Sequence, residues 1–196
     1  MTPPAHAPIC RIIAGPNGSG KTTFALNWLR TIVPASNFVN ADLIAAGLSP
    51  LAPHQQLIAA SRLFLRQIER HISQGKDFAF ETTLSGRGHL GLARRLRAAG
   101  WYVELFYLAL PNIELSRLRV AERVAHGGHA IAEADIVRRF PRSLRNLFDT
   151  FAGEVDYLRC LLNSGSNPAL IFVQQGTERT IFDQSTYDHL VRESRP

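Results

Sequence analysis

The chain is poor in lysine, cysteine and methionine. Its 196 residues hold two lysines against twenty arginines, two cysteines and one methionine. Cys10 and Cys160 both fall in segments that read as buried strands, which excludes a disulfide framework and points to reduced core thiols. No apolar run is long enough to span a bilayer. Met1 to Pro8 carries three prolines but no charged start followed by an apolar stretch. It therefore reads as a loose tail, not a signal peptide, and a cytoplasmic location with no membrane partner is expected. Internal repeats, low-complexity tracts and interdomain linkers are also missing, so residues 9–196 are expected to form one domain. With 45% hydrophobic residues, it can bury a proper core.

Acidic residues are in the minority. The formal charge is +6 and the sequence pI is near 10.0, which suits polyanionic partners such as nucleotides, nucleic acid or an acidic protein. No basic run with interleaved aromatics forms a stacking platform, so nucleic acid is the less favoured of these. Most of the arginines read as ordinary solvated side chains.

What is present is Gly15-Pro16-Asn17-Gly18-Ser19-Gly20-Lys21-Thr22, followed by Thr23. It fits the phosphate-binding pattern G-x-x-x-x-G-K-[ST] at every fixed position. Such a loop wraps backbone N–H groups around nucleotide phosphates; the lysine reaches the outer phosphates and the hydroxyl after it holds magnesium. An apolar run, Ile9 to Ala14, precedes it, and helical spacing of Phe24, Ala25, Trp28 and Leu29 follows it over Thr22 to Arg30. Strand, loop and helix is the context the motif requires. A lysine kept here, where arginine is otherwise preferred, points to a need for a compact point charge. Gly15 to Thr23 are thus the candidate nucleotide contacts, Lys21 a catalytic candidate and Thr22 the candidate metal ligand. Thr23 also reads as the start of the helix.

Further strands are expected at Asn37 to Asn40, Asp77 to Glu81, Trp101 to Leu110 and Leu158 to Leu162, with a closing hairpin at Ala169 to Gln175 and Thr180 to Phe182. Helices alternate with them. Ser49-Pro50 reads as an N-cap and first-turn proline of a helix bearing Leu57, Ser61, Phe64, Leu65, Ile68 and Ile72, taken as scaffold. Further helices are expected at Gly88 to Ala99 and Ser185 to Glu193. Strand-then-helix repeats imply an α/β fold of the P-loop kinase-like, three-layer kind: a mostly parallel sheet of five or more strands with helices on both faces. In such sheets the carboxyl ends of the strands face the ligand crevice, which puts Asp42 and Glu81 beside the phosphate loop. Asp42 also admits the reading of a turn or helix-capping residue; Glu81, finishing a buried strand, needs a partner.

From about 113 to 148 two helices rich in arginine meet at Gly127-Gly128-His129. Arg119 and Arg123 lie four residues apart, a like-charge pair that costs stability unless an anion lies against it. Arg138, Arg139, Arg142 and Arg145 follow, with Pro141 expected to kink or restart the second helix. One reading is a lid whose Arg123 and Arg138 or Arg139 neutralise a transferring phosphoryl group. The other is an exposed hairpin in which Asp135 pairs Arg139. The loop Asn163 to Pro168 reads either as a neighbour of the nucleotide base or as a plain turn.

A GTPase would need an Asn-Lys-x-Asp sequence, which does not occur. A small-molecule kinase needs the loop, magnesium, a base near an acceptor hydroxyl and lid arginines, and all have candidates. Asp42 is the candidate base; Glu81 orients either the acceptor or the hydrated metal. A nucleic-acid-associated ATPase or polynucleotide or nucleoside kinase is the alternative, and an ATP-driven switch without transfer a third.

Ala14 to Thr23, Phe38-Val-Asn-Ala-Asp42, Phe80-Glu-Thr-Thr-Leu-Ser-Gly86, Glu122-Arg-Val-Ala-His-Gly-Gly-His129 and Arg138-Arg-Phe-Pro-Arg-Ser-Leu-Arg-Asn-Leu147 together resemble the zeta toxin family of P-loop kinases, in order, from about Ile9 to Val173. The resemblance implies ATP-dependent phosphorylation of a sugar hydroxyl on UDP-N-acetylglucosamine, blocked by a small antitoxin. It places Lys21 and Thr22 at the nucleotide, Asp42 as the base, Glu81 as the substrate-side acid and Arg123 with Arg138 or Arg139 on the lid. The chain is short beside longer members of that family, and the resemblance carries the expectation that the extra elements with which those members grip the nucleotide sugar are missing.

Overall fold

The structure, a computed structural model, describes residues 7–28, 34, 37–128 and 130–195. The expected tail up to residue 6, the end of the first helix at Leu29 and Arg30, and His129 lie outside them.

Strand β1 (Ile9–Ala14) is buried along its whole length, as a run of Ile, Cys and Ala with one ion-paired arginine allows. It lies between β3 (Phe78–Thr82) and β4 (Tyr102–Ala109), both parallel to it. The short β2 (Phe38–Val39) pairs with β3, and β5 (Tyr157–Leu162) pairs with β4, again in parallel. β6 (Ala169–Gln175) and β7 (Glu178–Ile181) add an antiparallel hairpin, giving seven strands in the order β2-β3-β1-β4-β5-β6-β7. The expected α/β sheet and its closing hairpin are therefore present. β4 separates β1 from β5, and Cys10 is level with Val103 while Cys160 is level with Tyr107, four residues further along the same strand, so the two thiols are too far apart to bridge. Both are free and buried, and burial raises both thiols.

Successive residues of the strands point to opposite faces. Ile13, Ala79 and Phe106 face α1 (Lys21–Trp28), whose Phe24 and Trp28 pack on them, the Trp28 ring 4.4 Å from that of Phe106. Ile12, Phe78, Phe80 and Leu105 face the larger core, which Phe64 and Ile68, Ala93 and Leu96, and Phe140 and Leu144 complete. Those pairs come from α3 (Leu57–Ser73), α4 (Leu90–Ala98) and α6 (Glu133–Asn146). The C-terminal α7 (Gln184–Glu193) buries Leu190 beside them.

The stretch after β2 departs from expectation. It holds an additional helix, α2 (Ala41–Leu48), capped by Asn40, whose side-chain oxygen accepts from the N–H groups of Asp42 and Leu43 at 2.8 and 3.1 Å. Ser49 ends that helix: its N–H bonds to the Ala45 carbonyl. The proline at the first turn of the next segment is Pro53, opening a 3-10 turn (Pro53–Gln56) that leads into α3. A Ser-Pro pair carries the same local signal in both roles, and an eight-residue helix of Ala and Leu shows little periodicity to separate them.

α5 (Ile113–Ala125) begins at about 113 and stops before Gly127, as expected, and is capped by Asn112. It closes through a left-handed Gly127 (φ 83°) and a bond from the Gly128 N–H to the Arg123 carbonyl. α6 runs through Pro141 as one helix and passes into a wider turn at Leu147–Phe151.

Candidate active site

Because β1 to β5 are parallel, the ends of all five deliver their following residues to one edge of the sheet. Ala14 stands level with Thr82, and Ile13 with Glu81. The phosphate loop turns there. A Cβ at Gly15 would lie 2.3 Å from the Leu108 carbonyl oxygen, and its φ of +146° excludes other residues. Glycine is obligatory where the loop leaves the central strands.

Two of the loop's backbone carbonyls are held by side chains from distant segments. Ser116 of α5 donates its hydroxyl to the Asn17 carbonyl at 2.7 Å. Asn163, the first residue after β5, donates its side-chain amide to the Ser19 carbonyl at 2.8 Å. Arg119 closes the brace, its guanidinium donating to the carbonyls of Asn163 at 2.6 Å and Ser164 at 3.2 Å. The compensation expected from an anion beside Arg119 and Arg123 is thus supplied, at Arg119, by backbone oxygens. Ser116 and Asn163 carry no sequence signal of this role; they act through carbonyls that no motif specifies.

On the inner side, Lys21 is buried and donates to the Pro16 carbonyl at 2.9 Å, with Glu81 Oε1 3.9 Å away. Glu81 Oε2 accepts from the Thr22 hydroxyl and from the Asn40 side-chain amide, both at 2.7 Å. Asn40 thereby joins two tasks: its oxygen caps α2 and its amide holds Glu81. Burial lowers the Lys21 ammonium from its ordinary range, against the pull of Glu81 and Asp42, while Arg123 pushes it further down. Burial likewise raises the Glu81 carboxyl, opposed by Lys21, Thr22 and Asn40 and assisted by the charge of Asp42.

These groups open onto a cavity of about 670 Å³, the space of a small-molecule site. Lys21, Thr22, Asp42, Glu81 and Arg123 all line it, with Asn17 and Gly18 of the phosphate loop. Asp42 sits in the first turn of α2, facing the same space. The remaining wall comes from α2 and α3 and the segment after β3: Leu43 and Ala46, then Ser61, Phe64 and Leu65, then Thr82, Thr83 and His89. α3, expected to be scaffold alone, therefore contributes lining residues, and Leu57 and Leu65 of its expected core face are about half exposed.

The two arginines expected beside Arg123 are elsewhere. Arg138 and Arg139 both bond the carboxylate of Asp135, at 2.5 and 3.0 Å, and neither lines the cavity. The local pairing is the arrangement present. α6 is also built into the body at its second half. Ser143 donates to the Thr83 carbonyl at 2.6 Å, and Asn146 to that of Leu84 at 2.7 Å. Other arginines pair similarly, Arg94 with Glu154, Arg95 with Glu69, Arg97 with Asp156 and Arg117 with Glu133.

No group of three or more His, Cys, Asp or Glu side chains forms a metal cluster among the described residues. The hydroxyl and carboxylate at Thr22 and Glu81 are nonetheless hard oxygen donors of the kind that magnesium uses with phosphates and water. No helix among the described residues is long and apolar enough to cross a membrane.

Comparison with known proteins agrees with this architecture. An uncharacterized protein of Haemophilus influenzae is 33% identical over 127 residues, which cover 63% of this chain and 86% of that protein. Among solved structures, the AvrRxo1-ORF1:AvrRxo1-ORF2 complex with sulphate ions superimposes with a TM-score of 0.79 at 16% identity, over 97% of this chain. This chain spans 65% of that one. The PezAT chromosomal toxin-antitoxin system of Streptococcus pneumoniae gives a TM-score of 0.61 at 15% identity, covering 96% of this chain and 86% of that one. The fold is thus that of P-loop kinase-like proteins. The family model described as Zeta toxin matches residues 49–161, more than half of the sequence and wholly outside the phosphate loop, so loop and family match are separate observations. The chain belongs to the zeta toxin family.

Proposed function

We propose that the chain is an ATP-dependent phosphotransferase that moves the γ-phosphoryl group to a hydroxyl of a small molecule, with a UDP-amino sugar of the UDP-N-acetylglucosamine kind as acceptor. The observation that carries this is the convergence of Lys21, Thr22, Glu81, Asp42 and Arg123 on one cavity. A structural neighbour described as AvrRxo1-ORF1:-ORF2 with ATP, superimposing with a TM-score of 0.77, supports the nucleotide.

In this reading the N–H groups of Gly15 to Thr22 and the Lys21 ammonium bind the donor phosphates, Thr23 continuing the loop into α1. Lys21 exchanges its bond to the Pro16 carbonyl for a phosphate oxygen, and its burial strengthens that attraction. Thr22, with Glu81 behind it, would hold magnesium, which neutralises charge on the phosphates when bound. The direct Thr22–Glu81 bond supports the metal side of the two roles left open for Glu81. Asp42 accepts the proton of the acceptor hydroxyl as that oxygen attacks phosphorus and the bond to the departing ADP breaks. Arg123 balances the equatorial charge. Arg138 or Arg139 joins it only if a phosphate displaces Asp135, and any closing movement belongs to the hairpin tip, since Ser116, Arg119, Ser143 and Asn146 fix the rest. The protein works inside the cell, and a small antitoxin protein is its partner, as the neighbour's description as a toxin-antitoxin system supports.

The test is incubation with ATP, magnesium and a panel of UDP-sugars, nucleosides and 5′-hydroxyl oligonucleotides, read by mass spectrometry. Added phosphate on UDP-N-acetylglucosamine is expected. Phosphate on another acceptor alone would retain the transfer and overturn the acceptor; none on any would overturn the transfer.

A further inference from the structure

The two ends of the cavity differ in charge. Its cationic lining residues are Lys21 and Arg123, both claimed by the donor phosphates in the reading above, and its anionic ones are Asp42 and Glu81. Beyond Asp42 the wall carries neither sign. Leu43 and Ala46 of α2 oppose Phe64 and Leu65 of α3, and the polar groups there are Ser61, Thr83 and His89. With Glu81 engaged by Thr22 and Lys21 at the phosphate end, an anion seated in this slot would meet the Asp42 carboxylate and no cation of its own, an arrangement that repels it. An uncharged ring with one apolar face and a hydroxyl or amide edge finds a surface for each.

His89 is the polar residue whose position is most firmly set. It stands just before α4, where its side chain makes no capping bond. Its ring is held by Phe64 and Phe80, with centroids 5.7 and 4.9 Å away. Neither ring nitrogen forms a hydrogen bond within the described residues, although Thr83 and Ser85 nearby bond one another at 2.9 Å. Burial lowers its pKa from the ordinary histidine value, so at neutral pH the ring offers one donor and one acceptor. Nothing in the phosphate chemistry uses it. A polar edge fixed by two aromatic rings and left without a partner in a substrate-sized cavity is placed to read a substrate.

Resting on the phosphotransferase reading, we propose that His89 is the selectivity contact for the acceptor: the slot between α2, α3 and the end of β3 takes the uncharged, hydroxyl-bearing ring of that molecule. The ring's apolar face lies toward Phe64 and Leu65 and its polar edge toward His89, Ser61 and Thr83. Any phosphate or carboxylate on the same molecule stays at the mouth. Acceptors whose charged group adjoins the reacting hydroxyl are thereby excluded.

The experiment compares wild type with His89→Phe, which keeps an aromatic ring between Phe64 and Phe80 but deletes both nitrogens, and with His89→Gln, which restores a donor and an acceptor. Steady-state transfer to UDP-N-acetylglucosamine and to uridine is measured beside the affinity for a fluorescent ATP analogue. His89→Phe is expected to raise the acceptor KM by about tenfold or more, as for a buried hydrogen bond lost, with kcat and ATP affinity little changed; His89→Gln recovers most of the loss. An unchanged acceptor KM in His89→Phe would overturn the proposal while leaving the transferase reading intact. So would a sugar monophosphate with its charge on the carbon next to the hydroxyl that mass spectrometry finds phosphorylated, if it accepted phosphate as well as the uncharged sugar. Should no acceptor be phosphorylated, ligand-observed NMR of N-acetylglucosamine and of uridine with the full chain and a non-hydrolysable ATP analogue decides: binding lost in His89→Phe and regained in His89→Gln upholds the contact. Binding that is absent in wild type, or kept in His89→Phe, removes it.

Discussion

The phosphate-loop end of the cavity and the end proposed for the acceptor are built by opposite means. The phosphate end is cross-braced: Ser116 and Asn163 reach it from 99 and 144 residues away and hold two of the loop's carbonyls, Arg119 braces Asn163 in turn, and Thr22, Glu81 and Asn40 lock its inner side. The acceptor end is two helices and a strand end with apolar side chains between them. Phosphates present the same geometry in every nucleotide, so a rigid cradle suits them. An acceptor is particular to its enzyme, and residues such as Leu43, Ala46 and Leu65 can change without disturbing the cradle.

Four experiments break or sharpen that contrast. Lys21→Ala should have the largest effect, a loss of transfer of about a thousandfold or more with weakened binding of a fluorescent ATP analogue. The fold should survive, as circular dichroism would show, because among the described residues the ammonium's partners are Pro16 and Glu81, both at the site itself.

Arg123→Ala and Arg138→Ala separate the two arginine populations of the hairpin. Arg123 lines the cavity, so its loss should lower kcat by about a hundredfold or more. Arg138 is half exposed and paired with Asp135, and a surface pair of this kind is worth roughly 0–1 kcal/mol. Its alanine variant should therefore keep kcat within about threefold, by the same measure. Equal losses would mean that α6 turns its arginines inward during turnover.

Asn163→Ala removes one brace. A lost hydrogen bond to a buried carbonyl is worth about 1–1.5 kcal/mol, or roughly tenfold in ATP affinity. The acceptor KM should stay put; a rise there would show that the ends are mechanically coupled.

The smallest effect is in the pH profile of kcat/KM for ATP, which reports the free enzyme. Glu81 must be ionised, and its pKa is raised by burial, so activity should fall with acidification above the pH at which an ordinary carboxylate would protonate. Lys21 must be protonated, and its pKa is lowered, so the alkaline limb should begin below the ordinary lysine range. Glu81→Gln should erase the acid limb along with most activity.

The same contrast decides what could be read from sequence. The phosphate loop was legible because its glycines, lysine and hydroxyl are specified together at fixed spacing. Glu81 was legible because a charge ending a buried strand needs a partner; Thr22, Asn40 and Lys21 are those partners. The acceptor end was hidden by α2. Its signal is eight residues of mostly Ala and Leu whose cap, Asn40, reads equally as the end of a strand. With α2 unseen, the inward side of α3 had no counterpart and read as scaffold. Arg138 and Arg139 admitted two readings, a lid or a local pairing with Asp135; the carboxylate lies three and four residues away on the same helix, where a pair forms without any ligand.

The central claim is that donor and acceptor meet at Asp42. The most direct measurement pairs two readouts on Asp42→Asn: affinity for a fluorescent ATP analogue, and single-turnover transfer of a labelled γ-phosphoryl group to the accepted hydroxyl. The account predicts ATP affinity within about twofold of wild type and transfer slowed by about a thousandfold, the scale of a lost general base. Transfer at the wild-type rate, or ATP binding lost in step with it, would contradict the account.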